Sequence, residues 1–540
     1  AYFFNTWERV IVKKVTIFDS TLRDGAQAEG VSFSVEDKIK IVKALDELGV
    51  GYIEAGNPGS NPKDLDFFER IKSVDLKNTI IAAFGSTRRR GISPSEDGNL
   101  QALLSADTKT VAVFGKSWDF HVTDIINAAL QENLEMIYDT IAYLKENGKE
   151  VVFDAEHFFD GYKSNAEYAM KTLDSAVQAG ADCICLCDTN GGTFPNEVFE
   201  ITKKVKDTFP VSVGIHAHND CGMAVANSIM AVQAGADHVQ GTFTGFGERC
   251  GNACLSTIIP DLQVKLDYKC IPDENIKMLT HTAREVCEIA NFQLSIREPF
   301  VGKCAFAHKG GMHIDGVSKD SRSFEHINPE VVGNERKFLT SEVAGRTTVL
   351  SVMQKIDPRI EKHSPETGKV IEKLKELEYQ GYQFEGADGA FELLIRKILG
   401  KYKPLFELEN FKIIGEHSVN SSVPTATAAI KIKVGDAYEI TAAEGQGPVN
   451  ALDKALRKAL EVFYPDLAKV HLTDYKVRVL DSNSATASKV RVLIESSDGV
   501  DSWTTVGVSK DIIEASWIAL VDSIEYKLIK DIETKFRDYL

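Results

Sequence analysis

Two short polar segments, far apart in the chain, carry the residue types of a metal site. His216 and His218 stand two positions apart at the end of the apolar run 211–215, so both imidazoles project to the same side of an extended strand. Arg23 and Asp24 follow another apolar run, and Asp24 can add a carboxylate if the two strands are close in space. A cation held by two histidines and one carboxylate keeps open positions for a substrate.

This interpretation has a structural alternative, because two histidines at a strand end can simply be packed and hydrogen-bonded. A glycine-rich segment, residues 245–252, follows the next apolar run, and Asn252 within it can complete the ligand set. Nitrogen and oxygen ligands without a required thiolate suit Mn, Mg, Zn or Co. The sequence therefore predicts a divalent metal bound by Asp24, His216 and His218, with Asn252 either completing the ligand set or buffering it.

Arg23 beside such a cation indicates the chemistry of a 2-oxo acid. The cation would bind the carboxylate and the ketone, and the guanidinium would counter the negative charge that grows on the ketone oxygen when a carbon nucleophile attacks. An ordinary surface ion pair with Asp24 is the alternative, and it would contribute little. Glu156 can orient the substrate or carry protons, or only support another residue. Thr189 can donate to the substrate carboxylate or cap the segment that follows it.

The pattern of apolar residues predicts the strands and helices that position these side chains. Apolar runs alternate with amphipathic stretches from about residue 15 to 242, which predicts repeated strand–helix units around a parallel sheet. Helices are predicted at residues 35–48, 65–71, 124–146, 166–179, 195–208 and 223–234. Eight strands are predicted, at residues 15–19, 50–55, 79–84, 110–114, 151–154, 183–187, 211–216 and 238–241. Eight units fit a closed (β/α)8 TIM barrel, in which functional residues gather at the carboxyl ends of the strands.

The chain beyond the barrel divides into a helical part and a repeated part. Residues 276–400 are predicted to form helical linker subdomains after a catalytic domain at 1–275. Residues 401–540 contain a repeat of two strands and a helix, at 425–434, 437–442 and 448–462, and again at 486–494, 502–508 and 511–529. Two such copies are too small for a second barrel and favour an α+β regulatory dimerisation domain.

Three further clusters carry weaker signals. His313 and Asp315 lie outside the predicted barrel, and their combination suits a base that removes a proton from a thioester methyl group, although a structural placement is equally compatible with their spacing. The three arginines at 88–90 are typical of a solvated face. The alternating cysteines at 183, 185 and 187 are explained more readily as buried small side chains than as a soft-metal site.

Composition excludes several classes of protein. A hydrophobic fraction of 43% and a charged fraction of 26% are ordinary for a globular protein, and no run approaches the ~20 apolar residues of a membrane span. The net charge of −17 argues against a partner such as nucleic acid or an anionic membrane. Nine cysteines without framework spacing predict reduced thiols. Because the first residues also lack the pattern of a secretory signal, a cytoplasmic location is predicted.

Four segments together resemble the 2-isopropylmalate, homocitrate and citramalate synthase family. They are FDSTLRDGAQ at 18–27, HAHND at 216–220, GERCGN at 247–252 and MHIDG at 312–316. The resemblance implies a metal-using, acyl-CoA-dependent Claisen condensation on a barrel. It extends to the C-terminal repeat and residues 513–517, which look like the allosteric dimer domain of that family. Residues 26–34 and 57–64 look most like the citramalate branch, because isopropylmalate synthases usually have Glu where Ala26 stands.

The resemblance also assigns roles to individual residues. Asp24, His216, His218 and Asn252 would bind the metal, and Arg23 and Thr189 would bind the 2-oxo acid. Glu156, His313 and Asp315 would serve orientation and proton transfer. Phe324 stands where many relatives have Tyr, so no catalytic hydroxyl is assigned at that position.

The expected protein is an acyltransferase that condenses pyruvate, acetyl-CoA and water to (R)-citramalate and CoA in isoleucine biosynthesis. The resemblance implies a homodimer, with feedback by an amino acid such as isoleucine. A 2-isopropylmalate or homocitrate synthase is the nearest alternative. An aldol-type lyase on the same barrel is disfavoured by the C-terminal repeat, and a non-catalytic amino-acid sensor is a third class.

Overall fold

The chain forms two compact units in the computed structural model, which describes residues 13–309, 311–338, 346–361, 364–384, 386–416, 425–480 and 488–537. The first unit comprises the described residues of Ala1–Phe306 and Ile327–Arg336, and the second those of Ala307–His326 and Lys337–Leu540. The chain therefore enters the second unit, returns to the first for a short segment and then leaves it again. The predicted domain boundaries near residues 275 and 400 stay predictions.

The first unit contains a closed barrel of eight parallel strands in sequence order, so the predicted TIM barrel is confirmed. Parallel pairing of the last strand with the first closes it. The strands are β1 (Thr16–Asp19), β2 (Tyr52–Glu54), β3 (Ile80–Ser86), β4 (Thr110–Lys116), β5 (Glu150–Glu156), β6 (Cys183–Asp188), β7 (Ser212–Ala217) and β8 (His238–Gly241). We refer to the end of the barrel at the carboxyl ends of these strands as the mouth.

Helices alternate with the strands, as the amphipathic stretches predict. They are α1 (Val35–Leu48), α2 (Pro62–Ile71), α3 (Gly98–Ser105), α4 (Leu130–Glu146), α5 (Phe158–Gln178), α6 (Pro195–Thr208), α7 (Ala224–Gln233) and α8 (Leu255–Pro260). In α1, the Ser34 side chain accepts from the Asp37 N–H and the left-handed Gly49 ends the helix, which are the expected start and stop signals. The short helices α3 and α8 were not predicted. Helix α4 begins at Leu130 rather than at 124 because the preceding residues form a π-type turn.

Side chains of each strand alternate between the inside of the barrel and the helix layer. The inward cluster is fully or almost fully buried and consists of Phe18, Ala82, Ala112, Val152, Cys183 and Cys185. Outward residues such as Ile17, Val111 and Ile184 belong to the large core shared with the helices. By the same alternation, the last inward side chains of β2, β4, β5, β7 and β8 reach the mouth and are polar, namely Glu54, Lys116, Glu156, His216 and Gln240.

A returning segment completes the first unit. Helix α9 (Leu279–Ile289) follows the barrel, and residues 327–336 pack beside it after the chain has visited the second unit. The Thr280 hydroxyl donates to the Val332 carbonyl at 2.7 Å. The side-chain amide of Asn334 donates to the carbonyls of Phe300 and Gly302 at 2.8 and 3.0 Å. These buried bonds attach the segment to the barrel unit.

The second unit begins with short strands and helices and ends with two sheets. Strands β9 (Ala307–His308) and β10 (Lys337–Phe338) form a two-stranded sheet. Helix α10 (Gly311–Lys319) lies between them in the sequence. Helices α11 (Arg346–Ile356), α12 (Pro365–Tyr379) and α13 (Asp388–Ile398) follow. The first antiparallel sheet contains β11 (Glu407–Glu416), β12 (Thr425–Val434) and β13 (Ala437–Gly445), with α14 (Pro448–Glu461). The second contains β14 (His471–Val479), β15 (Val490–Ser497) and β16 (Ser502–Ser509), with α15 (Ile512–Arg537).

The internal repeat is confirmed, with one strand more per copy than predicted. Strands β11 and β14 were missed because charged residues interrupt their apolar alternation. The predicted start of the second copy, residues 486 and 487, lies outside the described residues. One core joins both copies, and it includes Ile430, Leu456, Ile494, Trp503 and Leu520. In the described part of the chain, no helix combines the length and apolar character needed to cross a membrane.

Candidate active site

The turn after β1 holds Arg23 and Asp24 at the mouth. Asp19, the last residue of β1, accepts hydrogen bonds from the backbone N–H and the hydroxyl of Thr21, both at 2.9 Å. The backbone N–H of Asp24 donates to the Ser20 carbonyl. Because these local bonds fix the turn, the Asp24 carboxylate is buried in a defined position beside β7.

Strand β7 presents two histidines to this carboxylate. His216 lies within β7, and His218 follows the strand by one residue. Nε2 of His216 is 3.5 Å and Nε2 of His218 is 4.0 Å from Oδ2 of Asp24. The two Nε2 atoms are 3.4 Å apart, and one ligand atom from each of the three residues lies within 4.8 Å of the others. The two-residue spacing of the sequence thus produces one compact group.

Asn252 lies against the same carboxylate. Its Nδ2 donates to Asp24 Oδ1 and to the Phe246 carbonyl, both at 3.0 Å. Its Oδ1 is buried and has no hydrogen-bond partner among the described residues, which is costly unless a ligand binds there. Gly247 permits this approach, because its φ is +151° and an added Cβ would lie 2.2 Å from Asn252 Nδ2.

The protonation states of the group are those of metal ligands. Burial alone would raise the pKa of Asp24, but Arg23 and the two histidines hold it well below its usual range. Burial lowers the pKa of His216, and burial together with His216 lowers the pKa of His218 to about 4. At neutral pH the group therefore offers one carboxylate and two neutral imidazoles. With the unpartnered oxygen of Asn252, this donor set fits a divalent cation.

Arg23 is held on three sides. Its Nε donates to Glu54 Oε2 at 2.6 Å, its Nη1 donates to Asp24 Oδ2 at 2.9 Å, and its guanidinium carbon lies 3.8 Å from the centre of the Phe84 ring. The Ser20 hydroxyl donates to the same Glu54 oxygen at 2.5 Å, and Glu54 is fully buried. A planar cation is therefore fixed next to the Asp24 group in a largely desolvated place.

Glu156 and Thr189 lie at the carboxyl ends of β5 and β6, at the same mouth. Glu156 forms an ion pair with Lys116, the residue opposite it on β4. The Thr189 hydroxyl accepts from the backbone N–H of His157 at 2.9 Å, so its own hydrogen is left to donate elsewhere. Both residues thus stand where a barrel places functional side chains, and their roles stay predictions.

His313 and Asp315 belong to the second unit, on α10, and both are exposed there. The His313 ring stacks on Phe324 with centroids 4.0 Å apart. Asp315 forms an ion pair with Lys319 one turn later on the same helix, at 2.6 Å. The structure therefore brings the barrel residues together as one group and describes these two residues only in their own unit. Their proton-transfer role stays a prediction.

No role was assigned from the sequence to three residues of the site: Glu54, Lys116 and Gln240. Each occupies an inward position at or near the end of a barrel strand. The signal available for all three was the two-residue alternation, because a polar side chain at an inward strand position needs a partner. The identity of the partner depends on the register between strands, which the sequence does not display.

The two weaker clusters within the barrel unit lie in different surroundings. Arg88 is buried and pairs with Asp139 at 2.7 Å, so the prediction of a solvated face is wrong for this residue. Arg90 is exposed and pairs with Glu132 at 2.8 Å. The thiols of Cys185 and Cys187 lie within 4.8 Å of the Asp154 carboxyl in the barrel interior. Burial raises the pKa of the Cys183 and Cys185 thiols well above the usual range, so they are protonated, as packed cysteines are. The buried, protonated thiols support the interpretation of these cysteines as packed side chains.

The barrel with its Asp–His–His–Asn group and the repeated C-terminal units define a class of protein. Residues 14–290 match the HMGL-like family, residues 300–381 match the homocitrate synthase post-HMGL domain-like family, and residues 385–528 match the LeuA allosteric (dimerisation) domain. These three matches follow one another along the chain and describe a barrel synthase with a C-terminal regulatory domain.

Sequence identity to individual relatives shows which branch of this class the chain belongs to. The chain is 53% identical over 524 residues to the (R)-citramalate synthase of Aquifex aeolicus (strain VF5), covering 97% of this chain and 99% of that one. It is 51% identical over 519 residues to the (R)-citramalate synthase of Geobacter sulfurreducens, covering 96% and 98%. The 2-isopropylmalate synthase of Methanocaldococcus jannaschii is 30% identical over 524 residues, covering 96% of each chain. The chain therefore belongs to the HMGL-like family, in its citramalate synthase branch.

Proposed function

We propose that this enzyme condenses pyruvate with the acetyl group of acetyl-CoA and hydrolyses the thioester, which yields (R)-citramalate and CoA for isoleucine biosynthesis. The observation that carries this proposal is the near-full-length identity to (R)-citramalate synthases, which exceeds the identity to the 2-isopropylmalate synthase compared above. The geometry of the mouth supports it, because a fixed arginine and a divalent-metal donor set are suited to a 2-oxo acid.

Asp24, His216, His218 and Asn252 would hold a divalent cation, such as Mn, Mg, Zn or Co. When bound, such a cation would hold the carboxylate of the 2-oxo acid and make its ketone carbon more electrophilic. The residues themselves are in the states that metal binding requires, because the carboxylate is ionised, the imidazoles are neutral, and the Asn252 oxygen lacks a partner among the described residues. Asn252 also orients Asp24 by its hydrogen bond to the other carboxylate oxygen.

Arg23 would stabilise the oxygen that becomes negative when the ketone is attacked. Its Nε and Nη1 hydrogens are used by Glu54 and Asp24, and the remaining edge of the guanidinium is available for a substrate oxygen. Because Glu54, Asp24 and Phe84 already fix the group, little reorganisation is needed when charge develops. The hydroxyl of Thr189 would donate to the carboxylate of the substrate.

The proton steps are assigned to Glu156, His313 and Asp315. A base would take a proton from the acetyl methyl group, the resulting enolate carbon would form the new bond to the ketone carbon, and the ketone oxygen would receive a proton. Water would then attack the thioester carbonyl, releasing the CoA thiol and a carboxylate. His313 with Asp315 suits the first proton transfer by chemistry, and the Lys116 partner of Glu156 suits a carboxylate that orients substrate.

A panel of 2-oxo acids tests the proposed substrate. With acetyl-CoA present, release of free CoA thiol is expected to be most efficient with pyruvate, measured as kcat/KM. Pyruvate should exceed 2-oxoisovalerate and 2-oxoglutarate by at least ~10-fold, since even one additional or missing methylene commonly changes efficiency by this amount, and both acids have larger side chains than pyruvate. Enzyme stripped of metal is the control and should release no thiol. A preference for 2-oxoisovalerate would instead indicate isopropylmalate synthesis, and no thiol release with any acid would indicate a lyase.

We also propose a cytoplasmic homodimer that responds to isoleucine through the C-terminal domain. The match of residues 385–528 to an allosteric dimerisation domain supports it. So do apolar side chains that the repeat sheets expose, namely Ile414, Tyr438, Ile440, Tyr475, Val477 and Val479. The cysteines are all free, which agrees with a reducing compartment.

Ile440→Lys should weaken this association, because it places a charge on the exposed sheet face, where the side chain is 70% accessible. Molar mass by light scattering is expected to fall from two chains to one, and inhibition by isoleucine should weaken with it. Leu65→Lys, which changes an exposed apolar residue on α2 in the first unit, is the matched control and should remain dimeric. A wild-type chain of monomeric mass whose rate does not respond to isoleucine would contradict the proposal.

A further inference from the structure

His216 is connected to a second buried residue that has no part in the reaction described above. Its Nδ1 lies 2.9 Å from Oε1 of Gln240, the residue directly opposite it in the register of β7 and β8. The Gln240 Nε2 lies 2.7 Å from Oδ1 of Asp154 on β5. Gln240 is fully buried, and the chain of contacts runs through the barrel interior beneath the mouth.

The donor and acceptor groups in this series of contacts determine the direction of each hydrogen bond. An amide has a donor end and an acceptor end, and the carboxyl oxygen of Asp154 accepts from the amide N–H of Gln240. The amide oxygen must then face His216, so Nδ1 of His216 must carry the hydrogen and donate it. Its Nε2 consequently keeps a lone pair, and this is the atom that lies 3.5 Å from Asp24 Oδ2.

The second histidine of the site lacks an equivalent support. Nδ1 of His218 is buried and has no hydrogen-bond partner among the described residues. The orientation of that ring is set by its place after β7 and by its contacts with His216 and Asp24. The two imidazoles are therefore unequal: one has its tautomer imposed by neighbours and the other does not.

We infer that Gln240 is a positioning residue that imposes the metal-binding tautomer on His216, with Asp154 orienting the Gln240 amide. The inference rests on the proposed metal site, because it concerns how one of that site's ligands is prepared. Partners of this kind raise metal affinity by removing the alternative tautomer and fixing the ring, and their loss typically costs about 10- to 100-fold in affinity.

The test measures Mn²⁺ binding to the metal-free enzyme by electron paramagnetic resonance of the free ion. Gln240→Leu is expected to raise the Kd for Mn²⁺ by about 10- to 100-fold, because an apolar side chain cannot accept from Nδ1. Gln240→Glu keeps an acceptor oxygen and should bind Mn²⁺ more tightly than Gln240→Leu. In a His216→Ala background, Gln240→Leu should produce no further change, since the residue acts through that imidazole.

Asn227→Leu separates this role from loss of barrel stability. Asn227 is also a fully buried amide, and its Nδ2 donates to the Thr193 carbonyl at 2.8 Å without contacting His216. Both leucine variants should lower the melting temperature of the metal-free enzyme, but only Gln240→Leu should change the Kd for Mn²⁺. An unchanged Kd in Gln240→Leu, or equal losses in the Leu and Glu variants, would overturn the inference. If His216→Ala also leaves the Kd unchanged, the metal site itself is wrong.

Discussion

Replacing Asp24 by Asn is expected to reduce turnover by about 10³-fold or more, because the change removes the only carboxylate of the proposed metal group while keeping its shape. The same variant should weaken Mn²⁺ binding to the metal-free enzyme. The ion pair with Arg23 is lost as well, because it depends on the negative charge of Asp24. Steady-state release of CoA thiol and a Mn²⁺ titration measure the two effects.

Asp46→Asn is the matched control for this variant. Asp46 is a buried carboxylate on α1 that accepts from the backbone N–H groups of Lys77, Asn78 and Thr79, before the start of β3. It therefore lies at the opposite end of the barrel from the mouth. Its replacement should lower the melting temperature and leave the Mn²⁺ affinity unchanged. Retention of both metal affinity and turnover in Asp24→Asn would remove Asp24 from the proposed site.

Replacing Arg23 by Gln is expected to have two separable effects. Turnover should fall by about 10²- to 10³-fold, the usual loss when one preorganised donor to a developing oxyanion is removed. Stability should fall by about 3–5 kcal/mol, because Glu54 is left buried without its cationic partner. Urea denaturation and thiol-release kinetics measure the two quantities independently.

A second substitution distinguishes catalysis from folding. In the double variant Arg23→Gln and Glu54→Gln, the buried charge of Glu54 is removed together with its partner, so most of the lost stability should return. Turnover should not return, since the guanidinium is still absent. If the double variant recovers turnover along with stability, Arg23 serves the fold and has no part in stabilising the substrate oxygen.

The parts of the site that the sequence predicts are those fixed by local chemistry. Asp24 and His216 each follow a short apolar run, and a two-residue period decides which side of a strand a side chain occupies. Short apolar runs between amphipathic stretches identified all eight strands. Helices with long amphipathic patterns, such as α1 and α6, were predicted with their observed bounds. The short α3 offers only eight residues, too few for a helical period to stand out.

The parts that the sequence does not predict depend on how strands are aligned. Lys116 stands opposite Glu156, and Gln240 opposite His216, because of the register of their strand pairs. Register is set by the packing of the whole barrel and by strand tilt, so no local pattern reports it. Glu54 shows the same limit, since its acidic side chain is compatible with exposure until Arg23 is placed beside it. Pairings across strands are therefore the information that the structure adds.

The path of the chain between its two units restricts how such a protein can be assembled from parts. Residues 327–336 belong to the barrel unit although residues 307–326 before them do not. The buried bonds of Thr280 and Asn334 tie that returning segment to the barrel. A barrel truncated after Phe306 would lose these hydrogen bonds. Neither unit is therefore formed by one continuous stretch of sequence. Any single crossover therefore divides one of the units: a junction before Ala307 separates residues 327–336 from the barrel, and a junction after Arg336 leaves residues 307–326 with it.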